Sequence, residues 1–350
     1  MIEKIKNHNL YNYPMRYAIW NNKGGVGKSF LSFILSCEYA LKNPTKKVVL
    51  IDLCPQANVS EIALGGNGEG AEKLNGLLSE RNTIGGYFDK RILSPHKTLG
   101  TEIGYLITNL SKINTNLPDN LFLIAGDPSL ELQAQAMNQI SAQTLPLESW
   151  GNVHKWLSDL INAIGNKYPD VTFFIDCNPS FAVYTELAIL SSDRLIIPCT
   201  ADGSSARALD NLGRLIYGVN VPDEYGEVTF PNKAKKNGFS FPSIHVITLN
   251  RSTQFDKKAS KAFIAMLNEI KRRATTLKSE GVNFSLSTNE DECFFDVPDA
   301  HTVSVVCSHE GVPLNKLKVG RHQVHEIPVQ VNPEPLERYK KAIEDVVSKL

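Results

Sequence analysis

Residues 23 to 29 read Lys-Gly-Gly-Val-Gly-Lys-Ser and follow directly on an apolar run, Tyr17-Ala18-Ile19-Trp20. An apolar strand that runs into a glycine-rich turn and then a helix is a device for gripping an anion. Gly24, Gly25 and Gly27 let the backbone curl so that successive N–H groups converge on one point, and the helix starting near Ser29 adds its positive end. In such a turn the backbone from Gly24 through Val26 to Phe30 wraps the phosphates of a nucleotide, Lys28 reaches the β- and γ-phosphates, and the Ser29 hydroxyl binds Mg²⁺. A chance glycine-rich turn is the competing explanation, and seven matching residues after a strand weigh against it.

The chain has 350 residues, enough to bury a core without disulfides or metals to staple it. Lysine plus arginine number 37 and aspartate plus glutamate 37, so any surface for nucleic acid or membrane must be local. The closest of the six cysteines, Cys293 and Cys307, are 14 positions apart, which leaves no Cys-x-x-Cys ligand pair. Several lie in apolar strand-like runs and suit small buried residues in a reducing cytoplasm. No signal-like segment precedes the first strand and no apolar stretch approaches the roughly 18 residues of a membrane span, so a soluble cytoplasmic protein is expected.

Strand-like runs recur at Tyr17 to Trp20, Val48 to Ile51, Leu121 to Ala125, Val171 to Ile175, Leu195 to Ile197 and Val246 to Leu249, with helical segments between them. Near-continuous apolar strands alternating with amphipathic helices predict a doubly wound α/β fold, a mostly parallel sheet covered on both faces. Ligands of such sheets sit at the carboxyl ends of the strands. One domain over 1–350 is expected, with insertions at 65–120 and 219–242. The glycine cluster at 65 to 70 lacks a framing strand or lysine and is expected to be a mobile loop.

Position 22, where an ordinary P-loop carries glycine, is Asn22, and a second lysine, Lys23, stands inside the turn. That pattern resembles the deviant Walker A motif of the ParA/MinD family of ATPases, in which the extra lysine crosses a dimer interface to the other subunit's nucleotide. Asp52-Leu53-Cys54-Pro55-Gln56-Ala57-Asn58 resembles the family's Asp-x-Asp-Pro-Gln-x-Asn. The resemblance implies that Asp52 holds a water on Mg²⁺ or couples the γ-phosphate to the following loop; a strand-end helix cap is the alternative. Asp176-Cys177-Asn178-Pro179-Ser180 resembles the Walker B run Asp-Cys-Pro-Pro-Ser, which implies that Asp176 holds Mg²⁺ through water. The likeness further implies ATP and Mg²⁺ as cofactors, an Asn250 contact to the adenine edge, unless Asn250 is a strand-end cap, and packing of Pro298 and Asp299 against the base.

The family pattern places a water-orienting aspartate at position 54, where this chain has cysteine. A neutral thiol accepts hydrogen bonds weakly, so slow hydrolysis with intact nucleotide binding is expected. Apolar residues from Phe255 to Leu277 follow a helical stripe and leave Lys257, Lys258, Lys261, Arg272 and Arg273 off it; Lys318 and Arg321 form a second group. These charges either solvate a helix face or, as the resemblance implies, join in a dimer to bind DNA without sequence preference, which would associate the protein with the nucleoid. Too few residues precede Tyr17 for a helix-turn-helix, so operator recognition is not expected.

The resemblance thus implies a ParA-like switch that dimerises on ATP, partitions a plasmid, chromosome or other cargo, and answers to a ParB-like activator. An ATP-bound adaptor with little hydrolysis and a MinD-like membrane-associated ATPase are the alternatives. The amphipathic segment Leu336 to Leu350 has mixed charges and no Trp or Phe, which favours packing on the protein's own core over a membrane.

Overall fold

The computed structural model describes residues 14–143, 148–200, 202–252, 254–255, 258–259 and 261–350. The strands are β1 (Met15–Ile19), β2 (Val48–Leu53), β3 (Thr108–Asn109), β4 (Leu121–Ile124), β5 (Thr172–Cys177), β6 (Arg194–Thr200), β7 (Ser243–Ser252), β8 (Gln254–Phe255), β9 (Lys258–Ala259), β10 (Phe294–Pro298), β11 (Gly320–Val324) and β12 (Ile327–Val331). The helices are α1 (Lys28–Lys42), α2 (Asn58–Leu64), α3 (Glu69–Ser79), α4 (Ile84–Leu93), α5 (Leu130–Ser141), α6 (Ser149–His154), α7 (Trp156–Lys167), α8 (Val183–Leu190), α9 (Gly203–Leu212), α10 (Phe230–Lys236), α11 (Lys261–Ser279), α12 (His301–Glu310) and α13 (Pro333–Val347).

Eight strands form one sheet in the order β10-β7-β6-β1-β5-β2-β4-β3, parallel except for β3, which runs antiparallel to β4. All six apolar runs of the sequence are strands of this sheet. Side chains alternate across it as the pleat requires. Ala18, Val49, Ile51, Phe173 and Ile175 pack under α4 to α9 and α11, whereas Tyr17, Ile19, Val48, Leu50 and Phe174 pack under α1, α2, α12 and α13. The helices therefore cover both faces, and the doubly wound arrangement stands.

Two local expectations change. The glycine cluster after α2 is a packed turn: a Cβ on Gly66 would lie 2.2 Å from the His309 carbonyl oxygen, and one on Gly70 2.1 Å from that of Glu61. Backbone pressed on backbone leaves no room for a side chain, which is why glycine stands there. The stripe beginning at Phe255 becomes helical only from Lys261; before it, β8 and β9 pair antiparallel, Phe255 opposite Lys258. A four-residue apolar spacing, 255 to 259, serves one helical turn and the two arms of a tight hairpin equally well.

The amphipathic α13 buries Leu336, Tyr339, Ile343, Val346 and Val347 in the core shared with α1. No helix among the described residues is long and apolar enough to cross a membrane.

Beside α13, His245 of β7 is a buried clasp. Its Nε2 donates to the Lys349 carbonyl at 2.8 Å, and its Nδ1 accepts from the Ser285 hydroxyl at 2.7 Å. Burial lowers its pKa to about 4, with the Arg194 charge adding to the effect and the bond to Lys349 resisting it. A histidine held neutral by the fold contributes stability that is complete above its unfolded value and is lost as pH falls toward the folded one. Unfolding free energy measured in urea should therefore drop by up to about 3 kcal/mol between pH ~6.5 and ~4 from this group alone. In His245→Asn that part of the pH dependence should disappear.

Candidate nucleotide-binding site

The loop after β1 emerges beside β5 and β6 at the carboxyl end of the sheet. Gly25 and Gly27 have φ of 72° and 84°, left-handed values that let the turn close onto the first turn of α1. Asn21 fixes the loop from below: its Nδ2 donates to the Pro198 carbonyl at 2.8 Å, and its Oδ1 accepts the Lys23 N–H at 2.9 Å. The buried Lys28 amine donates to the carbonyls of Asn21 and Lys23 at 3.1 and 2.8 Å, so it is held at the centre of the curl. Burial lowers its pKa, and the nearby Asp176 pulls it back up. A cleft of about 420 Å³ opens over this loop, lined by Gly24, Gly25, Gly27, Lys28, Ser29, Phe30, Cys54, Gln56, Asn58, Cys177 and Pro179.

Because β5 lies between β1 and β2, Asp176 ends the strand next to the loop, in register with Ile19 on one side and Asp52 on the other. Both carboxyls are wholly buried, and burial pushes both pKa values up. The Asp176 charge adds to the rise at Asp52, and the Ser29 and Ser32 hydroxyls with Lys28 oppose the rise at Asp176. The Oδ1 of Asp176 accepts from the Ser32 hydroxyl at 2.8 Å, while its Oδ2 has no hydrogen-bond partner. A buried acidic oxygen left unpartnered beside Ser29 and Lys28 fits a hard cation such as Mg²⁺.

Asp52 is tied to the loop that follows it. It does not line the cleft, and both its oxygens are engaged: Oδ1 accepts the Cys54 N–H at 2.9 Å, and Oδ2 accepts the Ser60 N–H and hydroxyl at 3.1 and 2.7 Å. The Ser60 hydroxyl also accepts the Gly126 N–H at 2.9 Å. Asp52 thus pins the loop from Cys54 to α2 against the end of β4. Cys54 does face the cleft, and Asn178 Nδ2 donates to its sulfur at 3.6 Å. Burial and then the Asp52 charge push the Cys54 thiol up to about 12. All six cysteines are buried and free.

A second, narrower cleft of about 80 Å³ adjoins the loop, lined by Val26, Gly27, Phe30, Asn250, Val297, Pro298, Asp299, Ala300, Ser304 and Tyr339. Asn250, Pro298 and Asp299 thus meet the loop around this cleft. Asn250 Nδ2 donates to the Val26 carbonyl at 2.8 Å, which ties the end of β7 to the loop.

The Lys23 amine, on the rim, donates to the Thr200 hydroxyl at 2.7 Å and pairs with Asp202. Asp202 also caps α9 by accepting the Ser205 N–H at 2.9 Å. Partial burial would raise this carboxyl, but hydrogen bonds from Lys23, Ser204 and Thr200 hold it well below the usual carboxylate range. Asn21, Ser60, Thr200, Asp202 and Tyr339 were not singled out from the sequence. Only Asp202 carries a local signal, an acidic residue just before the Gly203-Ser204-Ser205 helix start.

The described basic side chains of this set lie in two separate places. Arg272 pairs with Glu269, and Arg273 with Glu269 and Asp210, so their charge is largely met within the chain. Lys318 and Arg321 are exposed beside Leu317 and β11, on the sheet face opposite to α11. Lys257 lies outside the described residues, and for Lys258 and Lys261 the backbone alone is described.

Comparison with known proteins gives the context. Residues 16–222 match the family model AAA_31, described as an AAA domain. An uncharacterised protein, MJECL24 of Methanocaldococcus jannaschii, is 27% identical over 225 residues, 64% of this chain and 71% of its own. The virulence plasmid ParA family protein pGP5-D of Chlamydia muridarum is 25% identical over 206 residues, 58% of this chain and 61% of that protein. Among solved structures, apo McdA of Cyanothece superposes with a TM-score of 0.60 at 17% identity, covering 95% of this chain and all of that one. A plasmid partition protein of Borrelia burgdorferi bound to AMPPNP gives 0.56 at 20% identity, covering 96% and 100%.

The Asp52 clamp generates a direct test. Ser60→Ala removes the hydroxyl that serves both Asp52 and the Gly126 N–H and leaves buried groups unsatisfied. It should lower the urea unfolding free energy by about 1–3 kcal/mol with an unchanged m-value.

Proposed function

The chain belongs to the ParA/MinD-like P-loop ATPases, and we propose that it is an ATP-dependent dimerising switch that binds DNA without sequence preference and positions a plasmid, chromosome or other cargo while hydrolysing ATP slowly. The observation that carries this is the Lys28 curl, which lines the cleft, next to the buried and unpartnered Asp176 oxygen.

In this proposal the loop N–H groups and Lys28 bind the phosphates, and Lys28 exchanges its two backbone carbonyls for phosphate oxygens. Ser29 and Asp176 hold Mg²⁺, which when bound neutralises charge on the β- and γ-phosphates. Asn250, Pro298 and Asp299 receive the adenine. Asp52 acts by fixing the loop that carries Cys54, rather than by touching the metal. Lys23 leaves Asp202 and reaches the nucleotide of a second copy. The pair it leaves is part-buried and the amine also bonds the Thr200 hydroxyl, so closure of a homodimer must replace both contacts at the nucleotide.

Slow hydrolysis follows from Cys54. A thiol whose pKa stands near 12 is neutral and orients an attacking water poorly. The same observation favours a second reading, an ATP-bound adaptor that barely hydrolyses. A basic surface on DNA, nucleoid association and a ParB-like activator complete the first reading. With charges on opposite faces of one protomer, the DNA surface must draw on one group alone or be assembled across two copies.

Sedimentation with ATP should show dimers for the wild type and monomers for Lys23→Ala, and only the dimers should pellet with non-specific duplex DNA. That DNA affinity should fall steeply with added salt. Monomers throughout, or a Lys23→Ala variant that dimerises normally, would end the proposal. Cys54→Asp should raise the turnover measured by phosphate release about 100-fold or more, since orienting groups of this kind contribute on that scale. It should also lower apo stability, because a third carboxylate joins Asp52 and Asp176. Unchanged turnover would favour the adaptor.

A further inference from the structure

Asn178 follows the metal-side acid Asp176 by two residues and joins three segments at the edge of the larger cleft. Its carbonyl accepts the Trp20 indole N–H at 3.0 Å, which anchors its main chain to the residue where β1 gives way to the phosphate loop. Its side-chain Oδ1 accepts the Ser180 N–H and hydroxyl, both at 2.8 Å. A backbone N–H can only donate, so the oxygen must face Ser180 and the amide cannot turn over. Nδ2 is thereby directed at Cys54 and donates to its sulfur at 3.6 Å. Cys54, Cys177 and Pro179 line the cleft over Lys28 and Ser29, so this amide lies one contact behind the lining.

A neutral thiol is a weak acceptor, and burial keeps this one neutral. A phosphate oxygen is the opposite kind of partner, because charge roughly doubles the strength of a hydrogen bond to it. In the pattern that this motif resembles, position 178 is proline, which offers no donor, and position 54 is aspartate, which would hold an amide firmly. Here the two departures touch one another and leave a fixed amide donor on a weak partner. Their place along the cleft is also defined. Asn250 of β7 and the phosphate loop after β1 stand to one side of β5, whereas β2, which leads to Cys54, stands to the other. Cys54, Cys177 and Pro179 belong to the larger cleft alone, and the narrow cleft shares only Gly27 and Phe30 with it. A nucleotide whose base occupies the narrow cleft therefore sets its last phosphate toward Cys54 and Asn178.

Resting on the nucleotide-binding reading above, we propose that Asn178 is a specificity-determining residue that tells a nucleoside triphosphate from a diphosphate: its Nδ2 exchanges the Cys54 sulfur for an oxygen of the γ-phosphate. The exchange frees the loop that carries Cys54 from the loop after β5 when ATP binds and leaves the two joined with ADP. The weakness of the sulfur as an acceptor is what makes the amide available.

The test is calorimetric titration of the full chain, of Asn178→Ala and of Asn178→Asp with the Mg²⁺ complexes of ADP and of AMPPNP, a non-cleavable triphosphate analogue. Aspartate keeps an oxygen for Ser180 and replaces only the amide nitrogen. Loss of the donor in Asn178→Ala should weaken AMPPNP binding about 10-fold, the worth of one hydrogen bond to a charged group. Asn178→Asp should weaken it about 100-fold or more, because a carboxylate then faces the phosphate. ADP should bind all three proteins equally. If Asn178→Ala does not fold, the comparison of wild type with Asn178→Asp decides alone. Equal AMPPNP affinity across the proteins overturns the role of Asn178 and leaves the nucleotide site standing. Parallel losses for ADP and AMPPNP also overturn it, as damage to the loop. A wild type that binds neither nucleotide ends the functional reading itself.

Discussion

The site depends on the register of three parallel strands. β5 between β1 and β2 sets Asp176 beside the phosphate loop and directly opposite Asp52. Burial raises the proton affinity of both carboxyls, the Asp176 charge adds to the rise at Asp52, and the fold answers each differently. Asp52 receives two backbone N–H groups and the Ser60 hydroxyl, enough to serve it within the protein. Asp176 keeps one oxygen bare. The division of labour between the two acids comes from what surrounds them, since both end apolar strands in the same way.

Much of this was legible beforehand. Continuous apolar strands are a strong signal because both faces of the sheet are covered, and all six that were named proved to be strands of it. The phosphate loop was legible because its glycines answer a backbone need that nothing else meets. Asp52 shows the limit: its motif allows a metal-side acid or a tie to the following loop, and no local pattern announces that Ser60, eight residues on, folds back onto it. The same holds for Tyr339, which reaches the loop from the far end of the chain, and for Asn21, whose role exists only because β6 lies next to β1. β10 was missed because it sits at the sheet edge, carries an aspartate within it and ends in proline.

Charge was the least legible property. Lysine and arginine runs give positions along the chain but not the carboxylates that fold beside them. Arg272 and Arg273 read as free charge until Glu269, one turn away, and Asp210, from α9, are brought to them. Conversely, the apolar stripe of α13 was enough to place that helix on the core, because burial of a wide apolar face is worth far more than any alternative for its charged face.

Asp202 carries two tasks through different partners, the cap of α9 and the hold on Lys23. The Ser205 N–H and the Ser204 hydroxyl would continue to bind it after the amine departs. Release of Lys23 therefore needs neither unwinding nor a shift of the main chain. It is a rotamer change of a part-buried side chain that breaks the amine's bonds to Thr200 and Asp202. Any closure that draws on Lys23 would therefore leave the start of α9 in place.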